Sequence, residues 1–236
     1  VILENCKQEL YRFVDWMHDP LNLEINCFPV DTLSVCKSLP KTKMLYHEFD
    51  TAGLCASSIL GDELDLIILN SARSQLEQNF DCGHEIVHKY KHRGIGQDVF
   101  SCVAVKNNYN ESSGFFEWEA NEGSAELLVP YYSILPEIKK AYPFLNKSKD
   151  FIQFKRDMSD KYGVTPSVIE IRFESLKYEI QQHIEGIPIK NIKLLTKKQQ
   201  HNQHIYLESL NDKQYKKMMA ERHQFPLYMS NIDVIK

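Results

Sequence analysis

The chain has 236 residues, 28 Lys and Arg against 32 Asp and Glu, a formal net charge of −4 and 43% hydrophobic residues. These values fit a globular chain with its own core, exclude a collagen-like or broadly disordered one, and give no overall electrostatic pull toward nucleic acid. The longest apolar run, residues 64–69, is broken by Asp65 and too short for a membrane, no export-type leader is visible, and six scattered cysteines without a CxxC pair fit reduced, buried thiols of a cytoplasmic protein with no membrane partner.

In chain order, Leu10, Phe13, Val14 and Met17 stand at helical spacing, and Pro20 closes that helix. A short second helix is expected from Asp31 to the approach of Pro40. The period then changes to that of strands over Met44 to Phe49, Leu54 to Leu60 and Leu64 to Asn70, with Gly61-Asp62 as the hairpin turn between the last two. Ser71 to His92 is helical, as two helices or one long bent one. Residues 94–114 look like loop, and a further helix runs from about Phe116 to Val129, closed by Pro130. Ser148 to Tyr162, ended by Gly163, and Pro166 to Ile180, capped by Thr165, form a helix pair. The expected fold is α+β: a small twisted sheet packed against helices, then a helix-turn-helix-like pair and a small C-terminal extension. The corresponding units are residues 1–142, 143–186 and 187–236.

His84-Glu85-Ile86-Val87-His88 forms an HExxH motif. On a helix, residues four apart share a face, so both imidazoles can reach one metal ion, and the glutamate beside them can take a proton from a water bound there. A zinc site of this type needs a third protein ligand and an open position. A third histidine in the long HExxHxxGxxH pattern would fall at position 94, which is Gly94. His92 lies eight residues past His84, roughly 12 Å along a helix and too far to share its metal. A glutamate from another helix remains, and Glu119, 31 residues after His88, is the expected third ligand. Glu122 and Glu126 follow it at i+3 and i+7 as substitutes or supporting groups, and Glu117 is expected on a solvated face.

Several segments together resemble the ImmA/IrrE family of metallo-endopeptidases. Asp65 to Asn70 followed by Ser71-Ala72-Arg73 is similar to that family's strand ending in Asn and its Arg-containing turn. Phe80 precedes HExxH by four residues, and His92 matches a histidine often found one turn beyond it. Glu119-Ala120-Asn121 with Ser124 to Pro130 is similar to the family's second motif, and Tyr162-Gly163-Val164-Thr165 with Arg172 to its downstream helix pair. Phe28-Pro29-Val30-Asp31 matches the entry to its second helix. The departures are Gly123 where a large apolar residue is usual, Val87 before the second histidine, and Asp81-Cys82-Gly83 as the lead-in.

The resemblance implies a peptide-bond hydrolase with one Zn2+ per chain on His84, His88 and Glu119 and with Glu85 as catalytic base. It implies a protein substrate, a helix-turn-helix (XRE-type) repressor of a mobile element or stress regulon. Tyr109, His92 and His47 are the candidates for a donor to the oxyanion. The competing expectation is a metal-binding regulator without peptidase activity, acting through protein or DNA contacts. Residues 190–222 hold eight Lys or Arg against three Asp or Glu, but the acidic net charge argues against direct DNA binding.

Overall fold

A computed structural model describes residues 6–103, 111–145 and 147–224. Helix α1, Lys7–Met17, buries Leu10, Tyr11, Val14 and Met17, the stripe that the helical period demands. Helix α2, Thr32–Ser38, starts where the Asp31 carboxylate accepts the Ser34 N–H at 3.0 Å.

The sheet has four strands in the order β1-β3-β2-β4. Strands β2, Leu54–Ile59, and β3, Asp65–Asn70, form the expected antiparallel hairpin, while β1, Thr42–His47, pairs parallel to β3. Ile67 and Leu69 point into the core, as alternation requires. Strand β4, Val99–Val103, lies antiparallel to β2 inside the stretch expected to be loop. It has only five residues, and just Phe100 and Cys102 mark its buried face, so its period is too brief to stand out beside Gly94 and Gly96.

Helix α3 is a single helix, Gln75–Lys91, begun by a capping box in which Ser74 and Glu77 bond reciprocally. The turn leading into it is held by Asn70, whose amide donates to Leu54 O at 2.8 Å and whose carbonyl accepts the Ala72 N–H at 2.9 Å. From Asp81 to His88 every residue of α3 is buried, because sheet, α2 and the next helix surround it. Asn79 ties it to α2, accepting Thr32 N–H at 2.8 Å and donating to Val30 O at 2.9 Å.

Helix α4, Glu111–Leu128, crosses α3 closely. A Cβ on Gly123 would lie 3.2 Å from Val87, and one on Gly83 would lie 2.6 Å from Ser124 Oγ. The two departures at 123 and 87 therefore compensate one another: the missing side chain on α4 makes room for the branched one on α3.

Helix α5, Tyr131–Ala141, occupies a stretch given no element from sequence; Pro136 argues against a helix there, and burial of Ile134, Leu135 and Ile138 overrides it. Helix α6, Ser148–Tyr162, ends at Gly163 in the left-handed conformation, φ 62°. The helix expected over 166–180 is broken into α7, Pro166–Ser175, and α8, Lys177–Ile184. At the break Lys7 Nζ donates to the Ser175 carbonyl at 2.6 Å and pairs with Glu179 at 2.9 Å, taking an acceptor the continuous helix would need. Helices α9, Lys197–Asn202, and α10, Leu210–Gln224, follow, and α10 packs on α6 and α7. One apolar cluster joins Leu10, Val129, Leu135, Phe151, Ile169, Ile180 and Leu210, and a second lies between α3 and the sheet. No helix among the described residues is long and apolar enough to cross a membrane.

Candidate metal centre

Helix α3 brings His84, Glu85 and His88 to the buried junction of β2, β4 and α4, all three fully enclosed. The two histidine Nε2 atoms are 3.0 Å apart. The third corner comes from α4 and is Glu117: its Oε2 lies 3.3 Å from His84 Nε2 and its Oε1 3.3 Å from His88 Nε2. These three side chains form a set of donors that could hold a metal ion. Donors about 2.0–2.1 Å from a tetrahedral zinc ion are separated by about 3.3 Å, so the observed triangle has the right size as well as the right chemistry.

In the structure Glu117, rather than the expected Glu119, lies at this corner, and it is largely enclosed rather than on the expected solvated face. Glu119 accepts from His92 Nε2 at 2.9 Å and pairs with Lys91 at 3.2 Å. The two glutamates are two residues apart on α4, about 200° around the helix, so only one can face the histidine pair. Glu122 and Glu126 turn away as well. Both bind the buried Arg172 of α7, at 2.9 and 2.5 Å, and Tyr11 of α1 donates to Glu122 at 2.5 Å. Their place is in the joint between α1, α4 and α7. A further polar residue of the α4 segment, Asn121, has its Oδ1 3.2 Å from His84 Nδ1 and donates through Nδ2 to the Glu117 carbonyl at 2.8 Å. A usable signal for both residues was present: Glu117 and Asn121 stand four apart, like His84 and His88 on the facing helix.

Electrostatics leave the set ready for a cation. Burial pushes the Glu117 carboxyl up, but its place beside His84 and His88 outweighs this and brings it down to about 2. Burial draws His88 down to about 3, so it is neutral. His84 is raised, because Glu117 and Glu85 oppose its desolvation.

Glu85 is different: burial, only partly offset by His84, raises its carboxyl to about 7. Ser58 of β2 donates to its Oε2 at 2.5 Å, while the buried Oε1 has no partner among the described residues. Phe100 of β4 stacks on the His88 ring, centroids 4.2 Å apart, and closes that side.

Of the expected oxyanion donors, Tyr109 lies outside the described residues. His92 has both ring nitrogens engaged, with Glu119 and, at 2.8 Å, with His88 Nδ1. His47 is exposed on β1, separated by β3 from the strand that carries Ser58.

A second buried donor group joins Cys55 of β2, Asp81 of α3 and Cys102 of β4. Its carboxylate is already engaged by the Arg73 guanidinium, at 2.6 and 3.3 Å.

The profile of the family Peptidase_M78, described as the IrrE N-terminal-like domain, matches residues 36–174. That stretch begins within α2 and ends within α7, so it contains the sheet, both helices of the centre and Arg172 with its partners Glu122 and Glu126. No curated protein matches the chain.

Proposed function

The chain belongs to the IrrE N-terminal-like, Peptidase_M78, family, and on that premise we propose that it is a zinc-dependent endopeptidase with Glu85 as its general base. The observation that carries this reading is the triangle of His84, His88 and Glu117 beside a buried glutamate with one unpartnered oxygen. Two imidazoles and one carboxylate suit zinc. The chemistry zinc supplies when bound is polarisation of the scissile carbonyl and acidification of water.

The chain's own residues do the rest. Glu85 Oε1 accepts a proton from the attacking water and returns it to the leaving amine. Ser58 fixes the other oxygen, so the carboxylate cannot rotate away from that task. Burial raises its proton affinity into the range where it both takes and gives a proton near neutral pH. Phe100 and the apolar wall around it keep bulk water from competing at His88.

The substrate we propose is a helix-turn-helix transcriptional repressor of the XRE type, a choice that rests on the resemblance to repressor-cleaving peptidases. The test is incubation of the zinc-loaded chain with purified repressors of this type from the same genome, fragments being identified by mass spectrometry. Wild type is expected to cut one of them internally, and Glu85→Gln to retain zinc but lose cleavage by at least about 100-fold. Unchanged turnover in Glu85→Gln would overturn the mechanism. Zinc binding without cleavage by either form would favour a metal-binding regulator.

A further inference from the structure

The donor triangle leaves open what makes the histidines present Nε2, rather than Nδ1, to the centre. A neutral imidazole carries one proton, and only the bare nitrogen can bind a cation. Hydrogen-bond chains ending in groups of one fixed polarity determine which nitrogen that is.

We propose that Glu119 and Asn121 are positioning residues that set the protons of the two histidine ligands, Glu119 through His92 and Asn121 directly. This inference rests on the reading of His84, His88 and Glu117 as the metal ligands.

The chain to His88 begins at Glu119, whose carboxylate is ion-paired with Lys91 and can only accept. His92 Nε2, 2.9 Å away, must therefore carry the His92 proton. His92 Nδ1 is then a bare lone pair. It lies 2.8 Å from His88 Nδ1, which must donate to it. With its proton committed at Nδ1, His88 turns a bare Nε2 toward Glu117 and His84.

The chain to His84 is shorter and follows the same logic. The Glu117 backbone carbonyl can only accept, so the group 2.8 Å from it is the NH2 of Asn121. The Asn121 oxygen is thereby turned to His84 Nδ1 at 3.2 Å, which must donate. With its proton on Nδ1, His84 turns Nε2 toward Glu117 and His88. The segment Glu117-Trp118-Glu119-Ala120-Asn121 thus supplies one ligand and orients the other two. Glu119, His92 and His88 are largely enclosed, so water cannot easily substitute for a missing link in that chain.

Two readouts test this on the full chain. Histidine side-chain 15N spectra of the metal-free protein report which ring nitrogen is protonated. Wild type is expected to show His88 with its proton on Nδ1, and Glu119→Leu to show a mixture or the Nε2 form. Zinc affinity, by competition with a chromophoric chelator, is expected to fall about 10–100-fold in Glu119→Leu and in Asn121→Leu. Glu119→Gln should recover most of that loss, because an amide oxygen still accepts from His92; a merely structural role for Glu119 would not be rescued in this way.

An unchanged His88 tautomer together with unchanged zinc affinity in Glu119→Leu would overturn the relay. If Glu117→Ala left zinc binding intact, the ligand reading would fail instead. Because the tautomer is read without metal, it decides the relay even then, and unfolding curves identify any variant that fails to fold.

Discussion

In the proposed mechanism Glu85 joins two requirements in one side chain: it must be close to the metal ligands, and it must hold a proton loosely enough to pass it on. Its burial against Ser58 and away from solvent meets both. The sign of the resulting pH dependence follows directly. A base works only when ionised, and burial raises this carboxyl to about 7, so kcat/KM should fall as pH drops below neutrality. A cation at His84 and His88 favours the carboxylate, so the acid limb of the zinc-loaded enzyme should lie at or below about pH 7. A steady-state pH profile between 5 and 9 checks this, and a rate that rises toward acid would contradict it. At this scale the sequence was partly legible. HExxH was readable because its spacing is local to one helix, and Asp31, Ser74 and Gly163 act within a turn of their own positions. The choice of Glu117 over Glu119 was not, because it depends on the rotation of α4 against α3, which is set by distant contacts.

Those contacts belong to the scale of elements. Gly83 faces Ser124, whose hydroxyl donates to Phe80 O at 2.9 Å, and Gly123 faces Val87. The two helices are thereby held close enough for a glutamate on one to meet two histidines on the other. Gly83→Ala would place a methyl group 2.6 Å from Ser124 Oγ, so the hydroxyl must leave Phe80 or the helices must separate. A loss of about 1–3 kcal/mol in chemical denaturation is expected, with weakened zinc binding, and Gly83→Ala combined with Ser124→Ala should recover part of both. A single variant as stable as wild type would refute the close crossing. The elements missed from sequence share a physical cause. Strand β4 is short, α5 carries a proline, and the α7–α8 break is made by Lys7, more than 160 residues away in the chain. Each is decided by tertiary packing that no local pattern records.

In the whole molecule, one buried polar joint connects the N-terminal helix, the second helix of the centre and the helix pair that follows. Arg172 reaches Glu122, Glu126, Tyr11 and, at 3.1 Å, the Val129 carbonyl. Arg172→Met would leave two carboxyl groups buried without their cation, and should cost about 3–5 kcal/mol in unfolding free energy. The carboxyls differ within the joint: Arg172 outweighs desolvation and lowers Glu122, whereas burial raises Glu126 to about 8. Glu126 thus binds a proton more tightly folded than unfolded. Its contribution is fully present below its ordinary value of 4.5 and is lost as pH rises through about 8. Denaturation of the metal-free chain at pH 6 and pH 9 should show this fall, and Glu126→Gln should reduce it to the part that Glu85, raised to about 7, contributes. An equally steep fall in the variant would assign the effect to another group.

The proposed function requires Glu117 as the third ligand, and zinc affinity measured side by side for wild type, Glu117→Ala and Glu119→Ala tests that most directly. Wild type should bind about one zinc per chain. Glu117→Ala should lose stoichiometric binding, and Glu119→Ala should still fill at excess zinc with affinity about 10–100-fold lower. The reverse order, with Glu119→Ala unable to fill and Glu117→Ala close to wild type, would contradict it.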